Sequence, residues 1–471
     1  MNRRIFLERF GLLATGMVVS LKSNAFNQLK HGNTITGKVT DGKKGIADVV
    51  LSDGFAVVKT DANGNYSITL TEKSEFLFLS TPAGYDFKTD LGSVNRQYET
   101  LGARNEVNYV LKKLKQDDDK HHFIIWADPQ VKNKKDVAQM MATSVPDVKR
   151  LLKELGSRAL VHGIGVGDLV WDNLPLFDDY NKAVELMGIP FFQCLGNHDM
   201  DYRMGGDETS DRTFKKYYGP TYYSFNRGKA HYIVLDDVRY LGEDRKYDGY
   251  ISKEQLAWME KDLQHVPKDN LVIINAHIPI HNSVKNNEAF YDILRSFKNV
   301  HVMSGHTHYN RNVIRDGVFE HNHGAVCGAW WTGPICSDGA PRGYGVYEVT
   351  GKKLKWYYKG TDLDRKHQVS LDIEKLTANN RIIANVWNYD PEWKVECFLD
   401  GVSAPMEMMK GFDPEAVRLY KGDKLPASRP FAEPSRTEHL FMAHCSSSVK
   451  SVKIVATDRF GEQFKAEKKL S

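Results

Sequence analysis

The chain has 471 residues, of which 41% are hydrophobic and 26% charged, and its 64 Lys and Arg against 60 Asp and Glu leave a formal net charge of +4. A length of this order calls for about two to four domains rather than one core. The balance of charge excludes a strong field for nucleic acid or an anionic membrane as partner, and basic runs are no longer than patches such as Lys352-Lys353 and Lys468-Lys469.

The first element in chain order is Asn2-Arg3-Arg4-Ile5-Phe6-Leu7-Glu8, followed by the apolar run Gly11 to Leu21 and the small-residue site Ser23-Asn24-Ala25. It resembles the R-R-x-F-L core of a twin-arginine export signal. The apolar run is about half of the ~20 residues that a bilayer span needs. A cleaved signal over residues 1–25 is therefore expected, leaving an exported, periplasmic protein with no stable membrane insertion. The five cysteines, at 194, 327, 336, 397 and 445, are an odd number without C-x-x-C spacing. They indicate neither a zinc site nor a disulfide framework, although Cys327 and Cys336 could pair after export.

From Ile35 to Leu114, short alternating runs (Ile35 to Val39, Ala47 to Leu51, Ala56 to Lys59, Tyr66 to Leu70) are separated by Asp41-Gly42, Asp53-Gly54 and Asp61-Ala62-Asn63-Gly64. That rhythm predicts a small β-sandwich over residues 33–115, with Asp117-Asp118-Asp119 as a linker. Residues 120–362 read differently. Buried strand-like runs stop abruptly at polar residues: Phe123 to Asp128, Ala159 to Asp168, Pro190 to Asn197, Leu271 to His277 and Val300 to His306. Helix-period segments at 135–155, 178–187, 252–264 and 287–296 lie between them, and His231 to Asp236 and Gly343 to Val349 look like further core strands. The alternation predicts a layered α/β core of two sheets flanked by helices. From 366 to 471 strands dominate again, as in Arg381 to Trp387, Lys394 to Leu399 and Val452 to Ala456, predicting a C-terminal β-rich domain.

Each of the five runs ends on side chains that suit a metal: Asp128-Pro129-Gln130, Gly167-Asp168, Gly196-Asn197-His198-Asp199, Asn275-Ala276-His277 and Gly305-His306-Thr307-His308. In open α/β sheets ligands gather beyond the carboxyl ends of the strands, so these residues should converge. A lone Asp at a strand end is usually a turn residue, and a lone buried His is usually a satisfied core group; five such ends in order are not explained that way.

The order D-x-[H/Q], G-D, G-N-H-D, a lone H, then G-H-x-H resembles the signature of calcineurin-like metallophosphoesterases, and the flanking β-domains are similar to those of exported members. The resemblance implies two divalent ions bridged by Asp168, one held by Asp128, Gln130 and His308 and the other by Asn197, His277 and His306. It implies a metal-bridging hydroxide as nucleophile, His198 as proton donor to the leaving group, and Asp199 as the carboxylate that fixes the tautomer of His198. Most members carry His where this chain has Gln130. A carboxamide is harder and less basic than imidazole, so Mn or Fe is favoured, with Zn or Mg possible. Trp171 stands where purple acid phosphatases place an iron-binding tyrosine, which disfavours a ferric–tyrosinate centre.

Arg203, five residues after His198, is a candidate contact for a phosphate oxygen. In the Gly/Pro-rich loop that follows the last metal motif, Trp331 is a candidate to line a pocket for an organic leaving group, while Trp330 suits core packing. His281, His321 and His323 lie near the motifs in sequence. The leading expectation is hydrolysis of a small-molecule phosphomonoester or phosphodiester. Two alternatives stay open: cleavage of a pyrophosphate bond in a nucleotide or sugar nucleotide, and a non-catalytic envelope binding protein with a degenerate metal site. Oligomeric state is not legible in the sequence.

Overall fold

The computed structural model describes residues 32–470, apart from 91, 92, 103 and 378. The expected export signal at 1–25 lies outside the described residues. Among them, no helix is long and apolar enough to cross a membrane.

The N-terminal region is a sandwich of a three-stranded sheet, built on Thr34–Thr40, and a four-stranded sheet built on Val50–Ser52 and Phe76–Ser80. Ile35, Val39, Leu51, Tyr66, Ile68, Leu77 and Leu79 fill its core, the inward half of a period-two pattern. The module does not end cleanly. The short strand Val94–Asn95 pairs in parallel with a strand of the α/β core, so residues near 90 belong to both layers.

Two mixed sheets form that core. The first carries β1 (Lys120–Trp126), β2 (Val161–Val166) and β3 (Phe191–Cys194) side by side and parallel. The second carries β4 (Tyr223–Arg227), β5 (Ala230–Val234), β6 (Leu271–Asn275), β7 (Val300–Ser304), β8 (Arg311–Arg315) and β9 (Val318–Asn322), in the order β4-β5-β6-β7-β9-β8. An antiparallel hairpin, β10 (Gly343–Thr350) and β11 (Lys353–Gly360), extends the first sheet beside β1. The sheets meet face to face through stacked Phe192 and Phe225, whose ring centroids are 3.7 Å apart, and through Phe123 edge-on to Tyr232. Strands buried on both faces read as continuous apolar runs, which is why LVIIN and VHVMS lack alternation.

The helical segment expected at 135–155 is two helices, α1 (Lys134–Ala142) and α2 (Ser144–Leu155). Pro146 accounts for the break: it has no N–H for the preceding turn and its ring excludes the carbonyl four residues back, so it is accommodated only in the first turn of a new helix. The C-terminal region has two four-stranded antiparallel sheets around Val369, Ile382, Trp393, Ile454 and Phe464. Its helix α3 (Pro414–Lys421), which sequence patterning did not reveal, packs Ala416 and Tyr420 against Ala329 and Ile335 of the core.

Candidate metal centre

The seven expected ligands all leave the carboxyl ends of parallel strands. Asp128 and Gln130 follow β1, Asp168 follows β2, Asn197 follows β3, His277 follows β6, and His306 and His308 follow β7. All are buried except His306, which is half-buried. Five of them hold left-handed backbone: Asp128 (φ 50°), Gln130 (42°), Asp168 (51°), His306 (70°) and His308 (57°). Such conformations cost a non-glycine residue about 1–3 kcal/mol each, so the surroundings must impose them. The bonds that do so cross between motifs: Gln130 N–H donates to the Asp168 carbonyl at 2.8 Å, and His306 N–H to the Asp128 carboxylate at 2.9 Å. The glycine before Asn197 is required by proximity, since a Cβ on Gly196 would lie 2.0 Å from Asp168 N.

The two oxygens of Asp168 have different partners. Its Oδ1 lies 3.2 Å from His277 Nε2, which is also 3.1 Å from Asn197 Oδ1 and 3.2 Å from His306 Nδ1. Its Oδ2 accepts from Gln130 Nε2 at 3.0 Å, on the side where His308 Nε2 stands 3.6 Å from Asp128 Oδ1. One carboxylate thus joins two groups of donors. The imidazoles are set for this by bonds on their far sides. His277 Nδ1–H donates to the Val166 carbonyl at 2.9 Å and His308 Nδ1–H to the Gly328 carbonyl at 3.2 Å, leaving both Nε2 atoms facing inward. Asp237 accepts the backbone N–H of His277 and of Ile278.

These residues fit a cation, since ligand atoms of Asp168, His277 and His306 all lie within 4.8 Å of one another. Asp168 Oδ1, Asn197 Oδ1 and His306 Nδ1, together with His277 Nε2, direct electron pairs at one small volume, and such a cluster calls for positive charge. Among the imidazoles of the cluster, His277 is the one on which the two carboxylates act most strongly. Burial alone would lower its pKa, but Asp168 and then Asp128 raise it to about 10. His306 and His308 go the other way, pushed by burial down to about 3 and about 4, and so remain neutral donors. Asp128 is raised by burial, whereas in Asp168 burial is outweighed by His277 and His198 and the carboxylate stays ionised. Gln130 Oε1 is buried without any hydrogen-bond partner, and a metal would satisfy it.

His198 sits beside this cluster with its backbone N–H on Asp168 Oδ1 at 2.9 Å. Its Nδ1–H donates to Asp172 Oδ1 at 2.8 Å, and Arg245 lies 2.9 Å from Asp172 Oδ2 as an ion pair. Burial disfavours the charged ring, but Asp168 and Asp172 outweigh it and raise its pKa. The expectation that Asp199 orients His198 is corrected here. Asp199 is fully buried and accepts the backbone N–H groups of Leu169, Val170 and Gly196 at 3.0–3.1 Å, so it anchors the loop behind Asp168. An aspartate next to a histidine in sequence points away from it along the turn, and the partner came from four residues past Asp168 instead. Arg245 belongs to the hairpin Val238–Tyr240 and Tyr247–Gly249, which also sets Tyr247 edge-on to His306. The turn Gly242-Glu243-Asp244 between two aromatic-bearing runs was the available signal for it.

Three family descriptions match the chain in sequence order. Residues 33–115 match the family described as the N terminal of calcineurin-like phosphoesterase, 90–310 the calcineurin-like phosphoesterase itself, and 320–464 its C terminal. The chain belongs to the calcineurin-like phosphoesterases. Members of this family are dinuclear metal enzymes that hydrolyse phosphoric esters. A probable glycerophosphodiester phosphodiesterase from Arcobacter nitrofigilis is 28% identical over 145 residues, covering 27% of this chain and 49% of that protein, so the match spans about half of the relative's length. Among solved structures, a dimetal phosphatase from Danio rerio aligns at 15% identity with a TM-score of 0.36, over 51% of this chain and 96% of that one. The Plasmodium protein GAP50, an anchor in the inner membrane complex, aligns at 14% and 0.36, over 51% and 84%. Likenesses of that size say nothing about activity.

The two residues expected to contact substrate have these surroundings. Arg203 is exposed and its guanidinium is turned to Asp244, with Nε at 2.9 Å from the carboxylate. Trp331 is buried, and its indole N–H donates to the Pro129 carbonyl at 2.9 Å, so it braces the Asp128-Pro129-Gln130 turn from behind. Trp330, expected in the core, is the half-buried one and lies 4.8 Å from His308, ring to ring. His281 pairs with Glu320, His321 with His301, and His323 with the Ser304 carbonyl and Tyr347, all as packing groups. All five cysteines are free, and Cys336 directs its thiol to the Ala325 carbonyl rather than to Cys327.

Proposed function

We propose that this protein hydrolyses phosphomonoesters or phosphodiesters of small molecules outside the cytoplasm, at two divalent ions shared by Asp168. The observation that carries the reading is the buried Asp168 carboxylate, whose Oδ1 lies 3.2 Å from His277 and whose Oδ2 accepts from Gln130. Asp128, Gln130 and His308 would hold one ion, and Asn197, His277 and His306 the other. When bound, the ions supply Lewis-acid polarisation of the phosphoryl group and hydroxide at neutral pH.

The chain's own residues do the rest. His198 keeps a proton through Asp172 and Asp168 and delivers it to the leaving-group oxygen; Asp172 holds its tautomer, and Arg245 stabilises Asp172 in the required position. The carboxamide of Gln130 tilts the first site toward Mn or Fe, with Mg and Zn behind. The match to a probable glycerophosphodiester phosphodiesterase favours diesters among the candidates. The Arg3-Arg4 segment supports export to the periplasm.

The test is turnover of bis-p-nitrophenyl phosphate, p-nitrophenyl phosphate and a sugar nucleotide by the full chain with added Mn²⁺. Ester hydrolysis that falls by at least about 100-fold in Asp168→Asn is the expected result. Hydrolysis of the sugar nucleotide alone would transfer the reading to pyrophosphate bonds, and no turnover of any of the three would overturn it.

A further inference from the structure

Beside His198 lies a group of aromatic rings that neither the metal site nor the proton donor uses. Trp171 is edge-on to His198 at 5.7 Å between ring centroids. Trp330, packed on His308, is 6.5 Å from Trp171, and Phe431 of the C-terminal domain is 5.9 Å from Trp171 and 5.3 Å from Trp330. Phe431 is 53% exposed although its neighbour Ala432 is fully buried. A ring whose purpose was to plug the domain interface would be covered; this one is held outward.

The segment that presents it is firmly tied. Arg429, in left-handed backbone at φ 58°, donates to the Trp330 carbonyl and pairs with the buried Asp136 carboxylate, and its guanidinium lies 5.0 Å over Trp171. Lys132 places its ammonium 4.3 Å from the Trp171 ring centre and has no carboxylate partner among the described residues. The shelf is therefore tied down, aromatic and next to the group that protonates the leaving oxygen, with Lys132 at its edge.

We propose that this shelf binds a planar heteroaromatic base carried by the leaving group, which makes nucleoside phosphoesters the substrate class. The proposal rests on the phosphoesterase reading above. Stacking on an aromatic side chain recognises any base by its face, and the exposed ring of Phe431 and the half-buried ring of Trp330 offer such faces above the buried Trp171. The C-terminal domain thereby acquires a role in specificity: it delivers Phe431 to the leaving-group side.

Two matched pairs of esters test it, each with the same C5′ alcohol as leaving group. They are adenosine 5′-phosphate with methyl riboside 5-phosphate, and di-adenosine 5′,5′-monophosphate with its base-free counterpart. The wild-type chain with Mn²⁺ is expected to prefer the base-bearing member by about 10-fold or more in kcat/KM, mainly through KM. Phe431→Ala is expected to remove most of that preference while changing kcat/KM for the base-free member less than about 3-fold, and Phe431→Tyr to retain it. Equal turnover of both members by the wild type, or an equal loss on both in Phe431→Ala, overturns the shelf and leaves the phosphoesterase reading standing. No hydrolysis of these esters or of the nitrophenyl phosphates overturns that reading itself.

Discussion

His198 Nδ1 and Asp172 Oδ1 are 2.8 Å apart, while the carboxylate of Asp199, the next residue along the chain, is bonded to three backbone N–H groups. The pairing divides the two aspartates into one that is bonded to His198 and one that holds a loop. Replacing Asp172 with Asn should therefore lower kcat by about 10- to 100-fold for esters with alkyl leaving groups. The effect should be far smaller with p-nitrophenol, which needs no proton. The alkaline limb of the pH–rate profile, where His198 loses its proton, should move to lower pH, a shift that a merely structural residue would not produce.

Asp199→Asn should act on stability instead. An amide retains one acceptor oxygen and turns an NH2 toward a backbone donor, so at least one buried N–H loses its partner. The expected loss is about 1–3 kcal/mol in urea denaturation, with the pH profile of the residual activity unchanged. A shifted profile with full stability would place Asp199 back beside the reaction.

Gln130 is the weak member of the donor set, since its buried Oε1 has no partner within the protein. Gln130→His supplies the more basic imidazole and should tighten the weaker of the two metal sites by about 10-fold and shift preference toward Zn²⁺. Calorimetric titration of chelator-treated protein with Mn²⁺ and Zn²⁺ measures both effects. Unchanged affinity would remove Gln130 from the site.

Burial holds a set of histidines away from the site neutral. His121 and His301 are each pushed down to about 3 from 6.5, and His162 and His321 are also lowered, burial being the main cause in all four. Since the unfolded chain takes up these protons first, their contribution to stability is whole above about pH 6.5 and is lost as pH falls from there toward 3. Each should cost roughly 1.4 kcal/mol per pH unit in that window. Urea midpoints at pH 7.5, 6.5 and 5.5 should be close for the first two and clearly lower for the third.

Much of this was legible in the sequence because each site-bearing strand is a buried run that stops on a chemical group. The runs ending at Asp168, Asn197, His277 and His306 mark the carboxyl edge of both sheets, and their order alone implied convergence. What stayed hidden depends on direction rather than on order. The left-handed turn at Asp168 and Asp172 swings Asp172 under His198, and nothing in the spacing distinguishes it from Asp199. Trp330 and Trp331 are adjacent with opposite fates, one at the rim and one beneath the Pro129 turn, because both sit in left-handed backbone that alternation does not describe. The contribution of Phe431 required knowing that α3 docks on the loop around Ile335, a contact about 85 residues distant in sequence.

In the proposed function Asp168 joins two metal sites that act together. The most direct test is a stoichiometric Mn²⁺ titration of the metal-free full chain with bound metal and phosphodiester turnover followed on the same samples. Two bound equivalents, with turnover rising chiefly as the second is filled, is the predicted result. Full turnover at a single equivalent, or saturation at one ion, would contradict it.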